Sequence, residues 1–174
     1  MRLFVGLLLC MLSFTGWSKA FDFDLLVQYE GNNSDSISSI GVASLSRVNY
    51  SDVRFGMVSY INYASVTDQW QEKQNYLGWD IGARLGYYRD LYIYAEVGVD
   101  ALEVLLEDLR GDDDRSYYSD EDDDFDIDAY ASVGVGVQTK SLRLELFVKA
   151  RKIDGSNWES EHTQFYGGQL TIPF

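Results

Sequence analysis

The feature that most restricts this chain is a two-residue rhythm that returns eight times, with ionised side chains in the middle of its polar face. Successive side chains on a strand point to opposite faces, so each such segment has one apolar and one polar side. The segments are residues 21–30, 37–48, 53–63, 77–88, 91–100, 125–137, 142–151 and 163–174. In the fourth, Leu77, Trp79, Ile81, Ala83, Leu85 and Tyr87 alternate with Gly78, Asp80, Gly82, Arg84, Gly86 and Tyr88. In the seventh, Leu142, Leu144, Leu146, Val148 and Ala150 alternate with Arg143, Glu145, Phe147, Lys149 and Arg151. The second is ambiguous, because Ile40 and Val42 compete with Ala43 and Leu45. Alternation fails over residues 101–109, which fit a bulge, a strand extension or a short helix.

The placement of charge decides the architecture. A soluble sandwich or carrier buries its apolar face and leaves its charges in water. Here Asp80, Arg84, Glu96, Arg143, Glu145 and Lys149 stand mid-strand on the minority face, while the apolar face is long and clean in nearly every segment. That pattern predicts lipid outside and a packed polar interior. The expected fold is all-β: an eight-stranded antiparallel up-and-down transmembrane β-barrel over residues 21–174, with short turns at one end and longer loops at the other. After Ala20 no apolar run reaches the roughly 18 residues that a spanning helix requires. The one proline, Pro173, leaves strand interiors free of breakers.

The first 20 residues read as a cleaved secretory signal. Arg2 is the basic start, residues 4–14 a short apolar core, and Ser18-Lys19-Ala20 a small-x-small cleavage site. Cys10 follows Leu9 rather than a small residue, so no lipoprotein signal is expected, and the mature chain would contain no cysteine. Removing Arg2 and Lys19 leaves 12 basic residues against 28 acidic, a net charge of −16. Such a balance argues against nucleic acid as a partner.

The final segment, with Tyr166, Leu170, Ile172 and Phe174 on one face, ends on an aromatic. With these features the chain resembles the small eight-stranded bacterial outer-membrane barrels of the OmpA/OmpX type. The resemblance covers residues 21–174. It implies an outer-membrane location in a Gram-negative envelope, contact with lipid and lipopolysaccharide, and a monomeric barrel. It further implies that Tyr166, Leu170, Ile172 and Phe174 act as an assembly signal read by the barrel-assembly machinery.

Four groups of residues are candidates for chemistry. The first is an interior salt-bridge network of Asp80, Arg84, Glu96, Asp128, Arg143, Glu145, Lys149 and Arg151. Pairing Tyr88 with Tyr92 across the turn at Arg89-Asp90 sets Arg84 opposite Glu96. A similar two-residue turn at Thr139-Lys140 would set Asp128 opposite Arg151. Eight strands enclose a lumen that side chains fill, so packing rather than conduction is the expected role of this network. The second is the acidic loop, where Asp112, Asp113, Asp114, Asp120, Asp122, Asp123 and Asp124 could offer oxygen ligands to Ca²⁺. Its spacing lacks the EF-hand pattern, and a solvated, self-repelling loop is the plainer expectation. The third is the Arg110-Gly111-Asp112 tripeptide, a short match that arises easily by chance. The fourth is His162, the one histidine, with Ser156, Ser160, Glu159 and Glu161 nearby. A nucleophile needs a base and an orienting group in reach, and no acyltransferase or deacylase motif accompanies these. The expected function is therefore non-enzymatic and cofactor-free, a structural or surface-interaction role through acidic extracellular loops. A narrow pore or small-solute binder is the second expectation, and a soluble lipocalin-like carrier the third.

Overall fold

The computed structural model describes residues 22–67, 72–110, 128–152, 154–155, 158–159 and 164–174. Strands β1 (Asp22–Gly31), β2 (Ser36–Arg47), β3 (Val53–Thr67), β4 (Lys73–Tyr87) and β5 (Leu91–Asp100) precede helix α1 (Ala101–Arg110). Strands β6 (Ala129–Gln138) and β7 (Arg143–Arg151) follow. Two-residue strands β8 (Asp154–Gly155) and β9 (Trp158–Glu159) pair with each other, and β10 (Gln164–Pro173) returns to the main sheet. The eight long strands form one closed barrel, each antiparallel to its neighbours, with β1 and β10 completing the ring. Closure leaves no sheet edge unpaired around the ring.

Strand alternation survives almost intact. In β7 Arg143, Glu145, Phe147, Lys149 and Arg151 are buried and the residues between them exposed. The ambiguity in β2 is settled by its neighbours: Ile37, Ser39, Ala43 and Leu45 face inward, and Ile40 and Val42 outward. Two features depart from the sequence reading, and one open alternative is resolved. Strands β3 and β4 run further than the segments 53–63 and 77–88 read from the sequence, because their pairing continues to Thr67 with Lys73. A hydrogen-bonded ladder tolerates polar side chains such as Gln74 and Asn75, so composition understated it. Residues 101–110 form a helix, whose Leu102, Leu105 and Leu109 recur at helical spacing. Asp100 caps it: Oδ1 accepts from the backbone N–H of Leu102 at 2.9 Å and of Glu103 at 3.4 Å. The second departure is the β6–β7 register, taken up below.

The turn between β2 and β3 shows why the hairpins are well defined. Asn49 and Tyr50 have φ of 48° and 59°, and Ser51 N–H donates to the Val48 carbonyl at 2.9 Å. Two central residues at positive φ make a primed turn, whose twist matches that of the strands it joins. No helix among the described residues is long and apolar enough to cross a membrane.

Candidate functional site: the filled lumen

Inward-facing side chains meet along the barrel axis in three layers. The middle layer is built on Arg84 of β4. Its register partner on β5 is Glu96, and Nε donates to Glu96 Oε2 at 2.6 Å. The guanidinium also donates from Nη1 to Glu145 Oε2 at 3.0 Å and from Nη2 to the Tyr60 hydroxyl at 2.9 Å. Its carbon lies 4.0 Å from the centre of the Tyr94 ring. The carboxylates are satisfied from elsewhere too. Tyr130 OH donates to Glu96 Oε1 at 3.0 Å, Thr171 OH to Glu145 Oε1 at 2.9 Å, and Gln169 Nε2 to Glu145 Oε2 at 2.9 Å. Charge-assisted bonds of this kind are strong, and in a low dielectric they must be nearly complete for the charges to be tolerated.

Toward the loop end, Lys149 Nζ lies 3.0 Å from Glu30 Oε2, and Arg151 bridges Glu30 and Asp80. Rings of Tyr130, Phe147 and Tyr60 surround the Lys149 ammonium at 4.7, 5.4 and 5.5 Å from their centres. Their π-faces partly replace lost hydration. Toward the turn end, Arg143 Nη1 pairs with Asp24 Oδ2 at 2.6 Å, beside the stacked rings of Tyr88 and Tyr92, whose centres are 4.8 Å apart. Above the loop-end ions, Ile37, Ala64, Val66 and Phe165, all buried, form an apolar plug against which Tyr76 packs.

Glycines make room for these large groups. Tyr92 faces Gly136 in register, Tyr94 faces Gly134, Tyr130 faces Gly98, Phe147 faces Gly167 and Tyr60 faces Gly41. A Cβ at Gly134 would lie 2.5 Å from the Tyr94 ring. Each aromatic lies over a position whose lack of a side chain admits it.

Of the residues singled out from sequence, Arg84, Glu96 and Glu145 meet directly, as do Asp80 and Arg151. Lys149 and Arg143 instead take partners from β1. Asp128 does not stand opposite Arg151. Gln138 pairs with Arg143, so Tyr130 is the register partner of Arg151. The four-residue connection 139–142, in which Thr139 N–H donates to the Leu142 carbonyl at 2.8 Å, moves the pairing by two residues from a tighter turn. Asp128 instead precedes β6, where its N–H donates to Glu103 Oε2 at 3.2 Å. Sequence reasoning missed Asp24, Glu30, Tyr60, Gln169 and Thr171. Asp24 and Glu30 did share the polar face of the first segment, which was the available signal. Residues 1–20, the acidic residues 112–124, Gly111, Ser156, Ser160, Glu161 and His162 lie outside the described residues. Among the described residues no group of three His, Cys, Asp or Glu could hold a metal ion.

The outer wall has the opposite character. Phe23, Phe55, Tyr87 and Phe174 are exposed near the turn end, and Tyr29, Tyr63 and Tyr166 near the loop end. Between these two aromatic belts the exposed side chains are aliphatic, including Val42, Ile61, Leu85, Ile93, Val97, Val133, Val135 and Leu146. On this wall the Trp79 indole is held by a hydrogen bond, Nε1 donating to Ser59 Oγ at 2.9 Å. Tyr166, Leu170, Ile172 and Phe174 all point outward, with Gln169 and Thr171 turned in between them. Ion pairs inside and aliphatics outside are the reverse of what a soluble carrier needs.

Among solved structures, the chain is similar to the Yersinia pestis outer membrane protein Ail determined in a phospholipid bilayer nanodisc. The two share 8% sequence identity over 89% of this chain and 100% of that one, with a TM-score of 0.49. No family model and no curated protein matches the chain.

Proposed function

We propose that this chain is a non-enzymatic barrel of the bacterial outer membrane, exported with a leader of residues 1–20 and working as a monomer. One observation carries the reading: two aromatic belts bracket an aliphatic wall, while charges within β1, β4, β5 and β7, from Asp24 and Glu30 through Asp80, Arg84 and Glu96 to Arg143, Glu145, Lys149 and Arg151, are buried inside. Water would penalise such a wall, and a bilayer favours it, with aromatics at both interfaces. Lipid and lipopolysaccharide are then the immediate surroundings. The outward Tyr166, Leu170, Ile172 and Phe174 serve as the strand that the barrel-assembly machinery reads. Because the lumen is occupied by interlocked side chains, activity falls to the loops, whose acidic residues make them a surface for contact with a ligand or partner rather than a path for solutes.

The test is fractionation of cells expressing the full chain, followed by electrophoresis with and without boiling. The expected result is recovery in the outer membrane and faster migration of the unboiled form. Recovery in the soluble periplasmic fraction without a heat-dependent shift refutes the proposal. Planar-bilayer recordings of the purified chain are expected to show no stable unitary current, and a reproducible one would return the narrow-pore reading to first place.

A further inference from the structure

Buried charge is unevenly shared along the barrel axis. Among the described residues, Glu30, Asp35, Asp80 and Asp100 outnumber Lys149 and Arg151 in the loop half, and Glu96 and Glu145 outnumber Arg84 in the middle. Only at the turn end does the balance reverse, where the buried charges are Arg54, Arg143 and Asp24. Arg54 and Arg143 belong to β3 and β7, which lie opposite each other in the ring. Their guanidinium carbons nevertheless come within 5.3 and 5.8 Å of the centre of one ring, that of Tyr88. Asp24 is engaged by Arg143 at 2.6 Å.

Between these arginines and the solvent lies a cavity of about 610 Å³. Arg54 and Arg143, only 8% and 5% exposed, line its inner end, and Asp90, Lys140 and Phe174 form its exposed rim. Gln138, the register partner of Arg143, adds an amide to the same wall. Like charges converging in a poorly solvated lumen repel one another, and a negative group between them relieves that repulsion. Asp90 is the one carboxylate among the lining side chains, against three cations. The donors also select the kind of anion. Guanidinium groups present paired N–H donors that match carboxylate and phosphate oxygens. A carboxylate is planar and is satisfied from one side, whereas phosphate oxygens diverge and accept from several directions. Here the donors approach from opposite strands and from the rim, which suits phosphate.

We propose that this turn-end vestibule binds a phosphate group, held between Arg54 and Arg143, with Lys140 reaching it from the rim and Gln138 donating from the wall. Phe174 belongs to the turn-end aromatic belt, so the rim adjoins the outer wall. The phosphate can therefore come from a phospholipid headgroup or from free phosphate in the water at that end. The site requires only the folded barrel, whatever its loops contact.

The experiment titrates the ¹⁵N-labelled full chain, folded in maltoside micelles that carry no phosphate, and follows the arginine Nε–Hε signals by NMR. One arm adds inorganic phosphate, with sodium chloride at matched ionic strength as the control. The other adds phosphatidylglycerol to the micelles. The expected result is a saturable shift at Arg54 and Arg143 but not at Arg89, with one probe or both, and the probe that saturates at lower concentration gives the source. Affinity should fall about three-fold in Lys140→Gln, as for the loss of one exposed charge. Binding should vanish in Arg54→Gln, verified as folded by its heat-dependent mobility. The proposal fails if neither probe gives a saturable shift, or if chloride reproduces it. It fails equally if Lys140→Gln binds as tightly as the wild type, a result that decides even where Arg54→Gln does not fold.

Discussion

The barrel is closed twice, and by different means. At its middle the lumen is filled by ions: one guanidinium holds two carboxylates, and tyrosine, threonine and glutamine complete the oxygens. At its loop end it is filled by hydrocarbon, where Ile37, Ala64, Val66 and Phe165 touch one another and carry no side-chain polar group. The ionic layer is costly to assemble and severely damaged by the loss of one member, because each partner left behind is a buried charge. The plug has no such interdependence. Its loss is graded by volume, as for any apolar core. The first layer confers one geometry, and the second confers a seal.

Removing Arg84 tests the ionic layer most directly. Arg84→Leu strands Glu96 and Glu145 together in a low-dielectric lumen, and the expected loss is about 5 kcal/mol, the upper part of the range for a broken buried pair. Reversible urea unfolding in phospholipid vesicles would read it. The triple replacement Arg84→Leu, Glu96→Leu, Glu145→Leu should cost clearly less than the single one. An equal or greater cost would show that the layer stabilises by attraction rather than by mutual compensation.

The plug should respond in another way. Phe165→Ala creates a void among Ile37, Ala64 and Val66, with an expected cost of about 3 kcal/mol. No charge is orphaned, so Phe165→Leu should recover more than half of the loss. Hydrogen exchange should accelerate at amides of β1 and β2 facing the loop-side lumen and stay unchanged beside Arg84. Acceleration at both levels would mean that the two closures are one cooperative unit.

A third substitution probes the fit between the layers and the wall. Gly134→Ala places a methyl group 2.5 Å from the Tyr94 ring, which itself supports the Arg84 guanidinium. The expected cost is about 2 kcal/mol, typical of overpacking. Combining it with Tyr94→Ala should make the glycine replacement almost neutral, measured as a double-mutant cycle in the same unfolding assay.

How far this arrangement could be read in advance follows from what each contact depends on. The wall was legible because its apolar face repeats at every second residue whatever the neighbour does. Arg84 against Glu96 was legible because the tight turn at Arg89-Asp90 fixes the β4–β5 register within one hairpin. The β6–β7 hairpin shows the limit: a connection of four residues instead of two displaced every partner, and Asp128 lost Arg151. Arg143 with Asp24, and Lys149 with Glu30, were beyond reach for a different reason. Their strands are far apart in the chain and meet only when β1 closes on β10, so strand tilt and stagger decide which side chains share a level. The helix at residues 101–110 was open among three alternatives because its leucine spacing is short and its cap, Asp100, also ends a strand.

The smallest expected effect belongs to an ion pair outside both closures. At the turn end Arg89 Nε donates to Asp52 Oδ2 at 2.6 Å, with both side chains well exposed. That hydrogen bond holds the Asp52 carboxyl below the ordinary aspartate range, with a further contribution from the charge of Arg89. A carboxyl with a depressed folded-state pKa contributes stability that is present above its unfolded pKa and is lost as pH falls through the folded value. The window therefore opens below about pH 4, where aspartate ordinarily titrates. Solvent screens an exposed pair, so Asp52→Asn should leave the unfolding midpoint unchanged near neutral pH. The sensitive readout is an NMR titration of the Asp52 carboxyl carbon, which should move back toward the ordinary range in Arg89→Gln. A titration unmoved by that replacement would assign the shift to the Tyr87 hydroxyl and the charge of Arg47 instead. A midpoint change in Asp52→Asn approaching that of Arg84→Leu would show that the lumen is not what holds the barrel together.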